Sequence, residues 1–302
     1  MTAQLEADRL ATKPVSRFRE TIRALLANKL AVAGLVVLAV LVIVGIFGEA
    51  LAPHGLNELD VENRFAGPGA DHWFGTDNLG RDTFSRILIA ARVSLQVGFI
   101  AVGFAVVVGV PIGLAAGYYR GAVESVLMRA MDVLFSFPAI LLAIAILAVL
   151  GPGIGNAMIA IGLVYTPIFA RITRGSVLVV AEEVYIRAAR SLGAGDGRII
   201  FRHILPNVMA PIIVQTTLSL AFAILSEAAL SYLGLGVQPP NPAWGRMLSD
   251  GQDFFQQSAW MGVFPGLAIL VTVMAFNFVG DGLRDALDPK QKSVIESRGQ
   301  SV

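Results

Sequence analysis

Cysteine is absent from the 302-residue chain, which removes disulfides and thiolate-held metals but leaves the compartment unread. Charge is scarce: 15% of residues are Asp, Glu, Lys or Arg, 55% are hydrophobic, and the mean hydropathy is +0.69. Soluble domains carry roughly 25% charged residues, so this composition belongs to a membrane protein. No Gly-x-x-x-x-Gly-Lys-Ser/Thr phosphate loop occurs, so no nucleotide site is expected in this chain. Only three histidines are present, His54, His72 and His203. They are far apart, none has a metal-ligand spacing such as HExxH, and they read as solvated or interfacial, so no metal site is expected. With a formal net charge of +1 and no Lys/Arg run, nothing points to a nucleic-acid partner. No catalytic constellation stands out.

What is present is a set of apolar stretches long enough to cross about 30 Å of hydrocarbon at about 1.5 Å per residue. They run over 30–47, 93–119, 133–150, 154–170, 208–236 and 259–279. The sequence therefore predicts an all-α membrane protein with six transmembrane helices, the third and fourth joined as a tight hairpin at Gly151-Pro152-Gly153. The first stretch is longer than a secretory h-region and is followed by Pro53, so it reads as a retained anchor. Alternate connections differ in charge. The segments 1–29, 120–132, 171–206 and 281–302 hold 18 of the 23 Lys and Arg, and the segments 48–92 and 237–258 hold 5. The positive-inside rule then puts both termini in the cytoplasm. The expected organisation is a cytoplasmic segment 1–29, an anchor 30–52, an outer loop 53–92, a core of five spans over 93–284 with a cytoplasmic loop 171–206, and a tail 285–302.

Phe18, Ile22, Leu25 and Leu26 share one helical face before the first span, which reads as an interfacial helix on the inner surface. Phe84, Ile87, Leu88 and Ala91 form a second such stretch, with Asp82 as its N-cap. The inner loop reads as a short helix, a glycine break at Gly193–Gly197, and a second amphipathic helix ending at Pro206. Such a loop can dock into a partner's groove or be an ordinary amphipathic hairpin.

Glu227 is the acid well inside a predicted span, and a charge there costs about 3 kcal/mol on insertion scales. It reads either as a pathway or gate residue or as a group hydrogen-bonded to Ser226, Ser231 or a neighbouring helix. Gly109, Gly113 and Gly117 form a small-residue ridge for close helix packing. Pro111, Pro138 and Pro167 mark bends, moving or static. Asp77, Arg81, Arg86 and Arg92 are candidate outer-face contacts, with local pairing as the alternative, and Trp244 and Trp260 look like interface anchors.

Ala188-Ala189, three residues, Gly193 and then Leu205-Pro206 follow the signature loop of membrane subunits of binding-protein-dependent ABC importers, and the chain resembles that family. It departs at Arg187, where Glu is usual, and at His203, where Ile is usual. The segments Gly75-Thr76-Asp77-Asn78-Leu79-Gly80-Arg81-Asp82 and Leu230-Ser231-Tyr232-Leu233-Gly234-Leu235-Gly236 through Trp244-Gly245, with the closing run Gly280 to Pro289, resemble the second membrane subunit of dipeptide, oligopeptide and nickel importers. The resemblance implies a type I importer permease fold. It also implies a coupling loop in which Tyr185, Ala188, Ala189, Arg190, Gly193, Ala194, Leu205 and Pro206 meet an ATPase. The implied partners are a homologous second permease subunit, two cytoplasmic ATPase subunits that use ATP and Mg, and a periplasmic or lipid-anchored substrate-binding protein. The implied location is the bacterial inner membrane, and no cofactor is implied for this chain. Dipeptides or short oligopeptides are the expected cargo, with nickel or another small solute as the alternative. An ion-coupled secondary transporter using Glu227 is the rival class, which a single acid within the six spans argues against.

Overall fold

The computed structural model describes residues 17–287, so the expected elements within 1–16 and 288–302 lie outside the described residues. Among the described residues all regular structure is helical, apart from an isolated bridge between Thr76 and Asp82. A short helix α1 (Arg17–Ala27) leads into α2 (Lys29–Leu51), and Asn28 separates them. Its side-chain oxygen accepts from the Leu30 and Ala31 N–H groups at 3.0 and 3.2 Å, capping α2. After a loop comes α3 (Thr83–Tyr119), 37 residues in one piece and therefore about 55 Å long. The predicted outer stretch around Phe84–Ala91 is not a separate element but the first turns of α3. Asp82 is its N-cap, accepting from the Ser85 N–H at 2.7 Å.

The third predicted span is not a single helix. Residues 121–150 form α4 (Gly121–Phe135) and α5 (Ala139–Leu150), bent by 92° at their junction. Pro138 stands at the N-cap of α5; proline donates no backbone hydrogen bond and keeps the residue before it out of the helical region, so the helix cannot continue through Phe137. The 12 residues of α5 reach only about 18 Å. Among the described residues five helices are long and apolar enough to cross a membrane, and a sixth crossing exists only if the bent pair counts as one span. Charge explains why α4 is not a simple span. Its Glu124 pairs with Arg174, and its Asp132 pairs with Arg171 at 2.7 Å. Both arginines belong to α6 (Ile154–Val180), which continues ten residues beyond the predicted end of the fourth span. The hairpin between α5 and α6 forms at Gly151 and Gly153, where the Asn156 amide donates to the Leu150 carbonyl at 2.8 Å.

Beyond α6 lie α7 (Val184–Ser191), α8 (Asp196–Tyr232), α9 (Trp244–Asp253) and α10 (Trp260–Leu287). The sequence pattern ends a helix at Pro206, yet α8 runs through it. The turn before it widens into a π segment, Ile199–Ile204, and the Leu205 N–H bonds the Ile200 carbonyl five residues back. Widening of this kind accommodates a residue that cannot donate.

The centre of the bundle is α3, α6 and α8, whose Val97, Ala101, Phe169 and Ile224 are fully or nearly fully buried. The glycine ridge explains how closely α3 and α6 meet. A Cβ on Gly109 would lie 2.8 Å from the Phe169 Cβ, and one on Gly117 would lie 2.7 Å from the Val177 Cβ. Only a residue without a side chain fits there. Pro111 and Pro167 lie inside these same two helices. Large apolar side chains such as Val36, Ile46, Val107 and Phe222 face outward, as a multi-pass membrane protein requires.

Candidate functional site

The loop that the sequence analysis expects on the inner side is built from α7 and the start of α8. Helix α7 ends in a left-handed turn at Gly193, φ +79°. The Ala194 N–H bonds the Ala189 carbonyl at 3.1 Å, and the Gly193 N–H bonds the Arg190 carbonyl at 3.0 Å. This paired closure is the Schellman arrangement, and it needs a residue that tolerates positive φ. Ile186 is the buried foot of α7, packed in the core with Ile199 and Ile204. Its other faces are open. Tyr185, Ala188 and Arg190 are exposed, Ala189 and Ala194 are half-buried, and Leu192 is 88% exposed. Leu205 is half-buried and Pro206 exposed, so the residues expected to couple form one protruding knob and the stem behind it.

The knob is tied to the C-terminal end of α3. The Tyr118 hydroxyl donates to Asp196 Oδ1 at 2.7 Å, and the Arg190 guanidinium lies over the Tyr118 ring at 5.5 Å. Next to it, Arg120 pairs with Glu182 at 2.6 Å. None of Tyr118, Arg120, Glu182 or Asp196 stands out in the sequence. An aromatic at the end of a span and a cation directly after it are the signal that could have found the first two.

In the loop before α3, the expected outer-face contacts Asp77, Arg81 and Arg86 satisfy one another. Asp77 Oδ1 accepts from the Leu79 and Arg81 N–H groups at 2.8 and 3.0 Å. Its Oδ2 lies 2.6 Å from Arg81 Nε and 3.7 Å from Arg86 Nε. Asp77 and Arg86 are both buried, so this motif holds the loop against α3. Arg92 stands apart, exposed on α3 beside α2. Nearby, Arg246 pairs with Asp250 at 3.1 Å, and burial pushes the Asp250 carboxyl above its ordinary range. Trp244 is not an interface anchor: it is 1% exposed, and its Nε1 donates to the Ile87 carbonyl at 3.1 Å. Trp260 is exposed, as an anchor would be.

Glu227 is 1% exposed. Its Oε1 accepts from Ser231 at 2.6 Å and its Oε2 from Ser94 on α3 at 3.3 Å. Ser226, the other serine that its position in the sequence offers as a partner, pairs instead with the Tyr165 hydroxyl at 3.1 Å. Ser94 carries no sequence signal for this contact.

The histidines are not scattered in space. His54 and His72 have ring centroids 4.8 Å apart, and His72 Nδ1 lies 3.0 Å from Asp82 Oδ1. They border a cleft of about 780 Å³ in the loop before α3 that is also lined by Glu58 and Asp60. Hydrogen bonding from the Asn63 amide holds the Asp60 carboxyl below its ordinary range.

Residues 109–293 match the family described as the binding-protein-dependent transport system inner membrane component. Residues 16–68 match the N-terminal TM domain of oligopeptide transport permease C. The chain is 51% identical over 279 residues to the dipeptide transport system permease protein DppC of Alkalihalophilus pseudofirmus, covering 92% of each chain. It is 44% identical over 292 residues to the glutathione transport system permease protein GsiD of Pectobacterium atrosepticum, covering 94% of this chain and 97% of that one. Among solved structures, a chain of the inward-facing MetNI methionine ABC transporter aligns with a TM-score of 0.56 at 18% identity, over 67% of this chain and 96% of the other.

Proposed function

Because the chain belongs to the binding-protein-dependent transport system inner membrane component family, we infer that it forms one half of an import pathway for dipeptides or short oligopeptides. A homologous permease subunit supplies the other half. Two cytoplasmic ATPase subunits hydrolyse ATP with Mg, and a periplasmic or lipid-anchored binding protein delivers the cargo. The chain sits in the lipid of a bacterial inner membrane with both ends in the cytoplasm and six crossings, the third being the bent pair α4–α5.

The observation that carries this reading is the inner knob. Helix α7 presents Tyr185, Ala188, Arg190 and Leu192 outward while Ile186 is rooted in the core. The Tyr118–Asp196 bond ties it to α3. A partner gripping the knob therefore pulls on a helix of the bundle, which is what coupling to an ATPase requires. Peptide cargo is favoured over nickel because relatives with nearly full-length matches are named for dipeptide and glutathione transport. On the outer face, exposed Arg92 is a cation placed to meet a binding protein, whereas Arg81 and Arg86 are engaged by Asp77.

The chain has no native cysteine, so Ala194→Cys gives a single reporter. It should cross-link to a cysteine placed in the ATPase groove of the assembled complex, and absence of both cross-linking and copurification with an ATPase would sink the coupling assignment. Cargo is read separately, from ATPase stimulation of the reconstituted complex by a binding protein loaded with dipeptide, glutathione or nickel. Stimulation by nickel alone would overturn the peptide assignment.

A further inference from the structure

The segments 75–82 and 230–245, which carry the resemblance to the subfamily, have no task in the transport reading. They meet at a narrow pocket of about 210 Å³. Asn78 and Arg81 come from the first segment, Pro239 and Asn241 from the second, and Arg86 and Arg246 follow directly after them on α3 and α9. Asp250, one turn beyond Arg246, completes the charged lining.

Charge does not balance there. Counting Asp77, which pairs with Arg81, three guanidinium groups meet two carboxylates and one positive charge is left over. Hydrogen bonds show where the surplus lies. Asp77 Oδ2 accepts from Arg81 Nε at 2.6 Å but lies 3.7 Å from Arg86 Nε, beyond hydrogen-bond range. Asp250 Oδ1 lies 3.1 Å from Arg246 Nε. Among the described residues the hydrogen bond of Arg86 runs to the Leu56 carbonyl at 3.4 Å, one acceptor for a fork of five N–H donors. Yet Arg86 is only 4% exposed. A buried guanidinium with donors to spare favours an anion that brings acceptors, and a planar carboxylate matches its fork.

Size and surroundings select the source of that carboxylate. Sites that enclose a whole small molecule run from roughly 300 to 1,000 Å³, so this pocket takes a side-chain head and not an entire peptide. Around the charged floor, Leu79 is 44% exposed, and Pro239 and Pro240 are exposed as well. A charged floor within an exposed apolar rim is the form in which a protein partner's anchor residue is received.

We propose that this pocket receives the carboxylate of an Asp or Glu side chain of the substrate-binding protein. Arg86 and Arg246 take the carboxylate, Leu79, Pro239 and Pro240 close around its stem, and Arg81 stays with Asp77. The inference rests on the reading of the chain as an importer permease whose loop before α3 faces the binding protein. It adds a pocket contact to the surface cation Arg92.

The test titrates the assembled, reconstituted complex with its purified, dipeptide-loaded binding protein and reads ATPase stimulation. Arg246→Gln should raise the half-maximal concentration of binding protein by at least about tenfold while the maximal stimulated rate holds. Arg246→Lys, which keeps the charge and loses the fork, should recover part of the loss. Arg129→Gln, an exposed cation of α4, should shift neither quantity. Leu79→Cys carrying a photo-cross-linker should capture the binding protein beside an acidic residue. Neutralising that acid should reproduce the Arg246→Gln shift without adding to it. An unshifted half-maximal concentration in Arg246→Gln, a loss confined to the maximal rate, or full additivity of the two changes overturns the proposal and leaves the importer reading standing. A binding protein that fails to stimulate even the unaltered complex overturns both.

Discussion

The indole of Trp244 donates to the carbonyl of Ile87 across 157 positions of sequence, at 3.1 Å in a fully buried setting. This bond locks α9, the short helix after the proline-rich outer connection, onto the first turns of α3. Trp244→Phe retains most of the ring and loses the donor, so it should cost about 1 kcal/mol. Trp244→Ala also opens a cavity and should cost about 3–5 kcal/mol. Unfolding of the purified complex in detergent reads both, and a Trp244→Phe complex as stable as wild type would mean that the indole N–H contributes nothing.

Glycine positions along α3 separate packing from propensity. Gly113→Ala would set a Cβ 2.6 Å from the Thr173 Cβ and 3.0 Å from the Arg174 nitrogen, and overpacking of this kind costs about 1–3 kcal/mol. Gly103 lies on the same helix with nothing within 4 Å of its would-be Cβ. Gly103→Ala should be neutral, or stabilising by up to about 1 kcal/mol. A Gly113→Ala complex as stable as wild type would show that α3 and α6 can move apart freely.

For Glu227 the two serines set the expectation. Glu227→Gln keeps an acceptor and adds a donor that Ser94 or Ser231 can receive, so stability, uptake and substrate-stimulated ATPase activity should all persist. Glu227→Leu leaves the buried hydroxyl of Ser94 unpartnered and should cost about 1–3 kcal/mol. Loss of uptake in a stable Glu227→Gln complex would support the pathway role.

Asp77 should matter more than either arginine it holds. Asp77→Ala leaves the buried Arg86 guanidinium without its counter-ion, and breaking such a pair costs about 3–5 kcal/mol. Arg81→Ala still leaves Arg86 beside Asp77 and should cost about 1 kcal/mol. Thermal midpoints of the two variants give the order, and a reversed order would place the structural weight on Arg81.

Five of the spans were legible because an apolar run of that length fits little besides a membrane crossing, and Asp82 as the cap of α3 was legible from side-chain chemistry alone. The break at Pro138 was readable as a bend but not as 92°. Glu124 and Asp132 reach Arg174 and Arg171 across 50 and 39 positions on the bent element, and hydropathy does not register such pairs. The same limit concealed the histidines. His54 and His72 carry no local motif, and only the turns that bring 54 and 72 together make them neighbours. Trp244 shows a preference overruled by tertiary packing: tryptophan favours membrane interfaces, but here its one donor found a buried carbonyl. Ser94 as a partner of Glu227 depended likewise on how α3 meets α8.

The unbroken course of α3 has one more consequence. Its N-terminal end carries the Asp82 cap and the Ile87 carbonyl that receives Trp244. Its C-terminal end carries Tyr118, which grips the loop at Asp196. Because no loop interrupts the helix between them, the cap and the grip, about 55 Å apart along its axis, belong to one continuous element whose single internal proline is Pro111.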